Sequence, residues 1–151
     1  MYILKSEIIE QIQYFHRLVF ELYLNLYGKV ENSNVKILLA ELCQQEKLRD
    51  EYLKKHKKIT KAMNSRLTFQ PNKLSNYISE CFKNVKTSSN LSVDDIVEIE
   101  MHFDDHLIKL FDVLSNEEKN NGNITNIFYY MINKIKQEDI KLQEKLTNLN
   151  L

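Results

Sequence analysis

Four charged side chains stand where the helical period of the sequence predicts interior residues. Glu46 and Glu138 each continue a series of apolar residues spaced by three or four, so a helix would turn both carboxylates inward. Arg49 and Lys141 follow them by three residues and share the same helix face. A buried charge is costly unless an opposite charge or a metal compensates it. The two Glu-x-x-cation motifs therefore predict an internal ion-pair site or metal site.

A third helical segment brings further acidic groups to this level. Asp104 lies on the inward line of that segment, with Asp105 beside it. A shift of the chain by 92 residues superimposes the two Glu-x-x-cation motifs and places Gln13 on Asp105. This register indicates a duplicated helical hairpin, although chance matching between amphipathic helices would also produce much of it.

The elements that must position these groups are helices throughout. Apolar periodicity predicts four long helices and one short helix between the second and third, at about 6–27, 32–58, 72–85, 92–119 and 123–149. Gly28 and Gly122 mark two short turns, Pro71 opens the short helix, and Ser92 with Asp95 forms a capping-box pair. Short turns join helices into antiparallel hairpins. The prediction is an all-α fold of two hairpins joined by a long crossover.

The composition bounds the class of protein. With 151 residues, 43% of them apolar and 28% charged, the chain is sized for one globular domain over residues 1–151. Two glycines and one proline are too few for a β-sandwich, a barrel or a phosphate-binding loop. The 21 basic and 21 acidic residues cancel, which argues against a nucleic-acid partner. The sequence shows no secretory signal and no apolar run long enough for a membrane span, so we expect a cytoplasmic protein.

One segment resembles a known family. Glu21–Arg49, and in particular its part Leu39-Ala-Glu-Leu-Cys-Gln-Gln-Glu-Lys-Leu-Arg49, resembles the first hairpin of a rubrerythrin-like domain of the ferritin superfamily. The last two long helices resemble the second hairpin more weakly. In that family a Glu from each of two helices and a Glu-x-x-His from each of the other two bind two irons. The resemblance implies a ferritin-like four-helix bundle with a di-iron site at the matching positions.

The matching positions depart from the family pattern. They are Gln13 or Glu10, Glu46, Arg49, Asp104 or Asp105, Glu138 and Lys141. Both motif histidines are replaced by cations, which cannot ligate iron. We interpret Arg49 and Lys141 as supplying the positive charge that the metals would give, so the site is vestigial and has no cofactor. Two alternatives stay open: outward pairing of both cations with Asp50 or Glu144, and a site for two iron ions with atypical ligands.

The histidines offer a second candidate site. Glu98, His102 and His106 recur every four residues, and such spacing on a helix can hold a transition metal. This face lies opposite the apolar stripe, however, and is expected to meet solvent or the middle segment. His16 lies near the seam of the first helix, where a partly buried, hydrogen-bonded histidine is favoured over a metal ligand.

Three functions are compatible with these features. The favoured one is a non-catalytic structural or interaction module that forms a homodimer or larger homo-oligomer. The alternative is a rubrerythrin-like di-iron oxidase or peroxidase, or an iron-binding protein, with atypical ligands. A carrier of small apolar ligands is the third. The sequence points to no specific partner or substrate.

Overall fold

The computed structural model describes residues 2–62, 66–118 and 122–149. The described chain is mostly helical, which confirms the predicted all-α class. Its elements in chain order are β1 (Tyr2–Leu4), α1 (Lys5–Lys29), α2 (Ser33–Ala62), β2 (Arg66–Thr68), α3 (Pro71–Cys81), α4 (Val93–Glu117) and α5 (Asn123–Leu149). Among these helices, none combines the length and the apolar composition that a membrane span requires.

The first hairpin is antiparallel. Lys36 Nζ donates to the Tyr27 carbonyl oxygen at 2.8 Å near the turn, and Lys57 pairs with Glu10 at 2.7 Å at the far end. As the residue numbers of these contacts increase along α2, those of their partners on α1 decrease, so the two helices are antiparallel. A connection of three residues, from 30 to 32, is typical of such a hairpin.

The second hairpin is antiparallel for the same reason. Thr125 N donates to Glu118 Oε1 at 2.8 Å beside the turn, and Phe111 stacks on Phe128 with ring centroids 4.5 Å apart. The predicted capping box at the start of α4 is confirmed, because Ser92 and Asp95 exchange side-chain hydrogen bonds with each other's backbone N–H groups.

The two hairpins pack side by side. Tyr52 on α2 stacks on Tyr130 on α5, and Phe15 on α1 meets Phe103 on α4 edge to face. Along α2, Glu41 pairs with Lys145 and Tyr52 stacks on Tyr130, so α2 is antiparallel to α5. Since α4 is also antiparallel to α5, helices α2 and α4 run in the same direction. The segment between them must therefore cross the length of the molecule, and α3 lies in this crossover against α1 and α4.

The aromatic core lies beside α3. Phe103 is fully buried, and its ring lies 5.0 Å from Phe82, 5.9 Å from Phe15 and 6.4 Å from Tyr23. Edge-to-face and tilted contacts of this kind suit the charge distribution of aromatic rings. The core fixes the relative positions of α1 and α4 next to the polar groups described below.

Two short strands were not predicted. β1 and β2 pair in antiparallel register, with Ile3 opposite Leu67. Strands of three residues are too short for an alternating pattern to be read from sequence, and their pairing joins segments more than sixty residues apart.

Several predicted boundaries need correction. Gly28 lies inside α1 rather than ending it; the helix ends at Lys29, and the N–H of the next residue, Val30, donates to the Leu26 carbonyl oxygen at 2.9 Å. α2 continues to Ala62, beyond the predicted 58. α3 ends at Cys81 rather than 85, and Asn84 adopts φ 62°, a left-handed conformation that Asn tolerates and a helix cannot contain. The predicted end of α4 at 119 lies outside the described residues.

Candidate functional site

A group of polar side chains lies inside the protein where α1, α2, α4 and α5 meet. We call it the polar cluster and define it by residues that touch one another: His16, Tyr23, Gln45, Glu46, Arg49, Glu100, Asp104, Glu138 and Asp139. Its central members, including Arg49, Glu46 and Asp104, are at most 6% exposed. Ionisable groups this deep require compensation within the cluster.

Arg49 lies at the centre. Its Nη1 is 2.7 Å from Asp104 Oδ1, 3.1 Å from Glu46 Oε1 and 3.5 Å from Glu100 Oε1. Its Nη2 also donates to Asp104 Oδ2 at 3.4 Å, which makes the Asp104 contact bidentate. One guanidinium therefore links α2 to α4.

The same guanidinium reaches α5. Arg49 Nε lies 3.5 Å from Glu138 Oε1 without the alignment of a hydrogen bond. In the amide orientation that satisfies both neighbours, Gln45 donates to Glu138 Oε2 at 2.8 Å and accepts from Arg49 Nη2 at 3.1 Å. The prediction that Arg49 points inward is confirmed, because its side chain is 5% exposed and lies 2.7 Å from Asp104. Outward pairing with Asp50 is therefore wrong for Arg49, and Asp50 pairs with Arg17 at 3.7 Å instead.

His16 ties α1 to the cluster. Its Nδ1 lies 2.6 Å from Glu46 Oε2, and the ring is fully buried. Glu46 thereby contacts His16 through Oε2 and Arg49 through Oε1. The expectation of a hydrogen-bonded His16 is confirmed, and the burial is complete rather than partial. Its Nε2 has no hydrogen-bond partner among the described residues.

Tyr23 forms the second link from α1. Its hydroxyl donates to Glu100 Oε2 at 2.8 Å, and both side chains are fully buried. Burial and the nearby Glu100 raise the pKa of Tyr23 well above its usual value, so the phenol stays protonated and remains a donor.

The carboxyl groups on α4 differ in their affinity for protons. Burial acts to raise the pKa of Asp104, but the charge and hydrogen bonds of Arg49, together with a hydrogen bond from Asp139, lower it below its usual value, so Asp104 is the ionised partner. Burial, and then the charges of Asp104 and Glu46, raise the pKa of Glu100 well above its usual value despite Arg49. Glu100 thus favours its protonated form.

The two carboxyl groups on α5 also have raised pKa values. Burial, followed by a hydrogen bond and charge repulsion from Asp104, raises the pKa of Asp139 to about 9. Burial raises the pKa of Glu138, with Arg49 opposing it. Among the described members of the cluster there are five carboxyl groups and one guanidinium, and the protons favoured on Glu100 and Asp139 make up part of the missing positive charge.

Three of these carboxylates could together hold a metal ion. Glu46, Glu100 and Asp104 each offer an oxygen, and the three atoms lie within 4.8 Å of one another. Carboxylate oxygens bind hard divalent cations. Arg49 Nη1, however, lies within 3.5 Å of an oxygen of each of the three. The guanidinium thus supplies positive charge beside all three carboxyl groups.

Other sequence-predicted positions fall outside the cluster. Lys141 and Asp105 are exposed, so the predicted inward Glu138–Lys141 pair is wrong. Each step of three residues turns a helix about 60° short of a full turn. Two such steps in the same direction, from the buried Ile135 to Glu138 and on to Lys141, carry the side chain off the buried face. Gln13 is buried, and its Oε1 has no partner within the described chain.

Four members of the cluster were missed from sequence. They are Tyr23, Gln45, Glu100 and Asp139. Glu100 stands four residues before Asp104 and three before the buried Phe103, and this spacing could have revealed it. The apolar spacing through Asp104 favours Met101 and Ile108 as seam residues of this helix, but both are only partly buried.

The face of α4 that carries His102 and His106 packs against the crossover segment. Solvent and this middle segment were the two environments predicted for it. His102 Nε2 lies 2.7 Å from the Cys81 carbonyl oxygen, and His106 Nδ1 lies 3.1 Å from the His102 carbonyl oxygen. Both rings are half-buried, whereas Glu98 is exposed. One nitrogen of each ring thus lies at hydrogen-bonding distance from the backbone, and these contacts favour a packing role over the metal face considered from sequence.

Comparison with known proteins gives no match: no protein-family model, no curated protein and no solved structure corresponds to this chain. The resemblance of Glu21–Arg49 to rubrerythrin-like domains therefore stays a prediction. The geometry of the polar cluster is the basis for the proposals that follow.

Proposed function

We propose that this protein is a ferritin-like four-helix bundle without a di-iron site, and that it acts as a non-catalytic structural or protein-interaction module. The parallel course of α2 and α4, with a long crossover between two antiparallel hairpins, supports the ferritin-like connectivity. The polar cluster at the meeting point of the four long helices supports a vestigial metal site.

The position of Arg49 is the observation that carries the proposal. A guanidinium within 3.5 Å of carboxylates from α2, α4 and α5 replaces the positive charge of a metal. It cannot lose its proton, change oxidation state or bind dioxygen. What it can do is hold three helices in one register, a role attested for buried polar groups in some helical proteins.

Metal titration tests the proposal. We expect the wild-type protein to bind neither Fe²⁺ nor Mn²⁺ stoichiometrically at micromolar concentrations, as measured by isothermal titration calorimetry and elemental analysis. The variant Arg49→His removes the fixed charge and adds a ligand beside Glu46, so it should gain metal affinity. Lys141→His is the matched control and should gain none, because position 141 is exposed.

Two results would contradict the proposal. Stoichiometric metal in the wild-type protein, with Arg49 displaced, would favour the alternative of an iron-binding protein or di-iron oxidase. The closeness of Glu46, Glu100 and Asp104 is the observation that favours this alternative. A gain of affinity in Lys141→His equal to that in Arg49→His would show that the new binding does not occur in the polar cluster.

We further propose a cytoplasmic location and self-association. Cys43 and Cys81 are both free and buried, which agrees with a reducing compartment. Leu24 on α1 is 54% exposed, and Tyr27 lies one helical turn further on with 40% exposure. We expect these residues to lie in a contact between two copies of the chain. Sedimentation equilibrium of wild type and Leu24→Glu measures this, and a monomeric wild-type protein would exclude it.

A further inference from the structure

A cleft opens between α2 and α5 beside the polar cluster. Tyr52 stacks on Tyr130 at one end, with ring centroids 4.6 Å apart, and the pair of Glu41 and Lys145 joins the same helices further along. Between these two contacts the helices leave a cavity of about 210 Å³. It continues into an open groove of about 360 Å³ that passes Lys141.

The walls of the cleft are apolar. Met131 and Ile135 are 3% and 1% exposed, whereas Leu48 and Tyr130 are 54% and 50% exposed. All four line the cavity, and Tyr52 completes the wall. A cavity of roughly 150 Å³ holds benzene in another protein. The volume here suits an aromatic ring with a short chain, or an alkyl chain of about six to eight carbons.

The polar side of the cleft is basic. Arg49 lines the cavity, its side chain is 5% exposed, and its Nε makes no hydrogen bond among the described residues. Lys134 lies in the same wall, and its positive charge favours the ionised form of Glu138. Along the groove Lys141 adds a further cation, while Lys145 is paired with Glu41. Glu138 also lines the cavity, with its Oε1 3.5 Å from Arg49 Nε, and the formal charges of Arg49, Lys134 and Glu138 sum to +1.

We propose that the cleft binds a small carboxylate with an apolar tail, such as a medium-chain or arylalkyl carboxylic acid. The tail lies against Leu48, Met131 and Ile135, and the carboxylate accepts from Lys134 and Arg49 Nε. Apolar burial supplies the affinity, and the cations supply the preference for a negative head group. The proposed ligand site does not depend on whether the polar cluster is a vestigial metal site, so it goes beyond the proposed function.

Calorimetric titration with three probes of equal chain length tests the charge preference. Octanoate should bind saturably with one site per chain. 1-Octanol should bind roughly tenfold more weakly, and octylammonium more weakly still, because neither accepts from both cations. Absence of saturable octanoate binding would overturn the proposal, as would tighter binding of octylammonium.

Two pairs of variants locate the site. Leu48→Glu and Lys134→Glu should each weaken octanoate binding by roughly tenfold or more, by blocking the apolar wall or reversing the charge. Ile37→Glu and Lys136→Glu are matched controls on the same helices; both positions are exposed and outside the cleft, so binding should not change. Equal loss in a variant and its control would contradict this location.

Sedimentation equilibrium distinguishes a second occupant. If the wild-type protein is a dimer that Leu48→Glu converts to a monomer, and octanoate does not bind, the cleft is an interface between two copies and the ligand proposal fails. All four positions are exposed, so the variants should fold, and circular dichroism checks that they do.

Discussion

Arg49 and Asp104 are 55 residues apart in sequence and form a bidentate ion pair in the interior, with Nη1–Oδ1 at 2.7 Å and Nη2–Oδ2 at 3.4 Å. The pair joins one helix of each hairpin, so it forms only when the two hairpins dock. Arg49 also contacts Glu46 on its own helix and Glu138 on α5. The contacts of Arg49 with Asp104 and Glu138 therefore depend on the docking of the two hairpins.

Removing the guanidinium should be strongly destabilising. Arg49→Ala leaves Glu46 and Asp104 buried without their cation, which typically costs about 3–5 kcal/mol of unfolding free energy. Urea denaturation at pH 7 measures the loss. Lys141→Ala, the cation predicted from sequence to be equivalent, should cause no measurable change because Lys141 is exposed.

The deficit of Arg49→Ala should also shrink as the pH falls toward 4, since protonation removes the uncompensated charges. A loss of stability below 1 kcal/mol at pH 7 would contradict the central role of Arg49.

The Tyr23–Glu100 hydrogen bond should contribute measurably to stability. Tyr23→Phe keeps the ring among its aromatic neighbours but leaves a fully buried carboxyl oxygen without its donor. We expect a cost of about 1–3 kcal/mol in thermal or chemical unfolding. Tyr14→Phe on the same helix is the control, because Tyr14 is 52% exposed and should tolerate the change. Equal stability of both variants would show that Glu100 finds another partner.

Asp139 should make the protein less stable as the pH rises. Its pKa is about 9 in the folded protein and about 4 in an unfolded chain. The folded state therefore binds this proton more tightly, and the resulting stabilisation is complete below pH 4 and lost as the pH approaches 9. Glu100 acts in the same direction, whereas the lowered pKa of Asp104 affects only the acidic end.

Asp139→Asn tests this dependence. The amide cannot ionise, so the unfolding free energy should fall less steeply between pH 5 and pH 9, and the variant should exceed wild type in stability at pH 8. Asp105→Asn is the control. It removes a neighbouring acid that is exposed and whose charge contributes to the raised pKa of Asp139, but it leaves the Asp139 carboxyl group in place. Parallel pH profiles for wild type and Asp139→Asn would refute the shifted pKa.

The two glycines should respond in opposite ways to alanine. A Cβ at Gly122 would overlap the carboxylate of Glu118, which accepts from Thr125 N and pairs with Lys5. Gly122→Ala should therefore cost about 1–2 kcal/mol. Gly28 is helical with open space around its Cα, so Gly28→Ala should add about 0.5–1 kcal/mol. Thermal melts measure both, and a stabilising Gly122→Ala would contradict the close approach.

Much of the fold could be predicted from local pattern. Ser92 and Asp95 marked the start of α4, and apolar spacing located the four long helices to within a few residues. Pairing between distant segments could not be predicted in this way. The strand pair of Ile3 and Leu67 leaves no local periodicity, because each strand has only three residues.

The same distinction applies to the candidate site. The sequence by itself determined that Glu46 and Arg49 turn inward, because buried leucines bracket them: Leu42 comes four residues before Glu46 and Leu53 four residues after Arg49. In a helix with 3.6 residues per turn, this spacing places both side chains on the same face as the two leucines.

Only the tertiary structure decided which groups meet there. Tyr23, Glu100 and Asp139 join the polar cluster, and Lys141 leaves it, according to how α4 and α5 rotate against α1 and α2. Helical periodicity fixes which residues share a face of one helix. The packing of neighbouring helices decides which edge of that face is buried, and here it left an open cleft between α2 and α5.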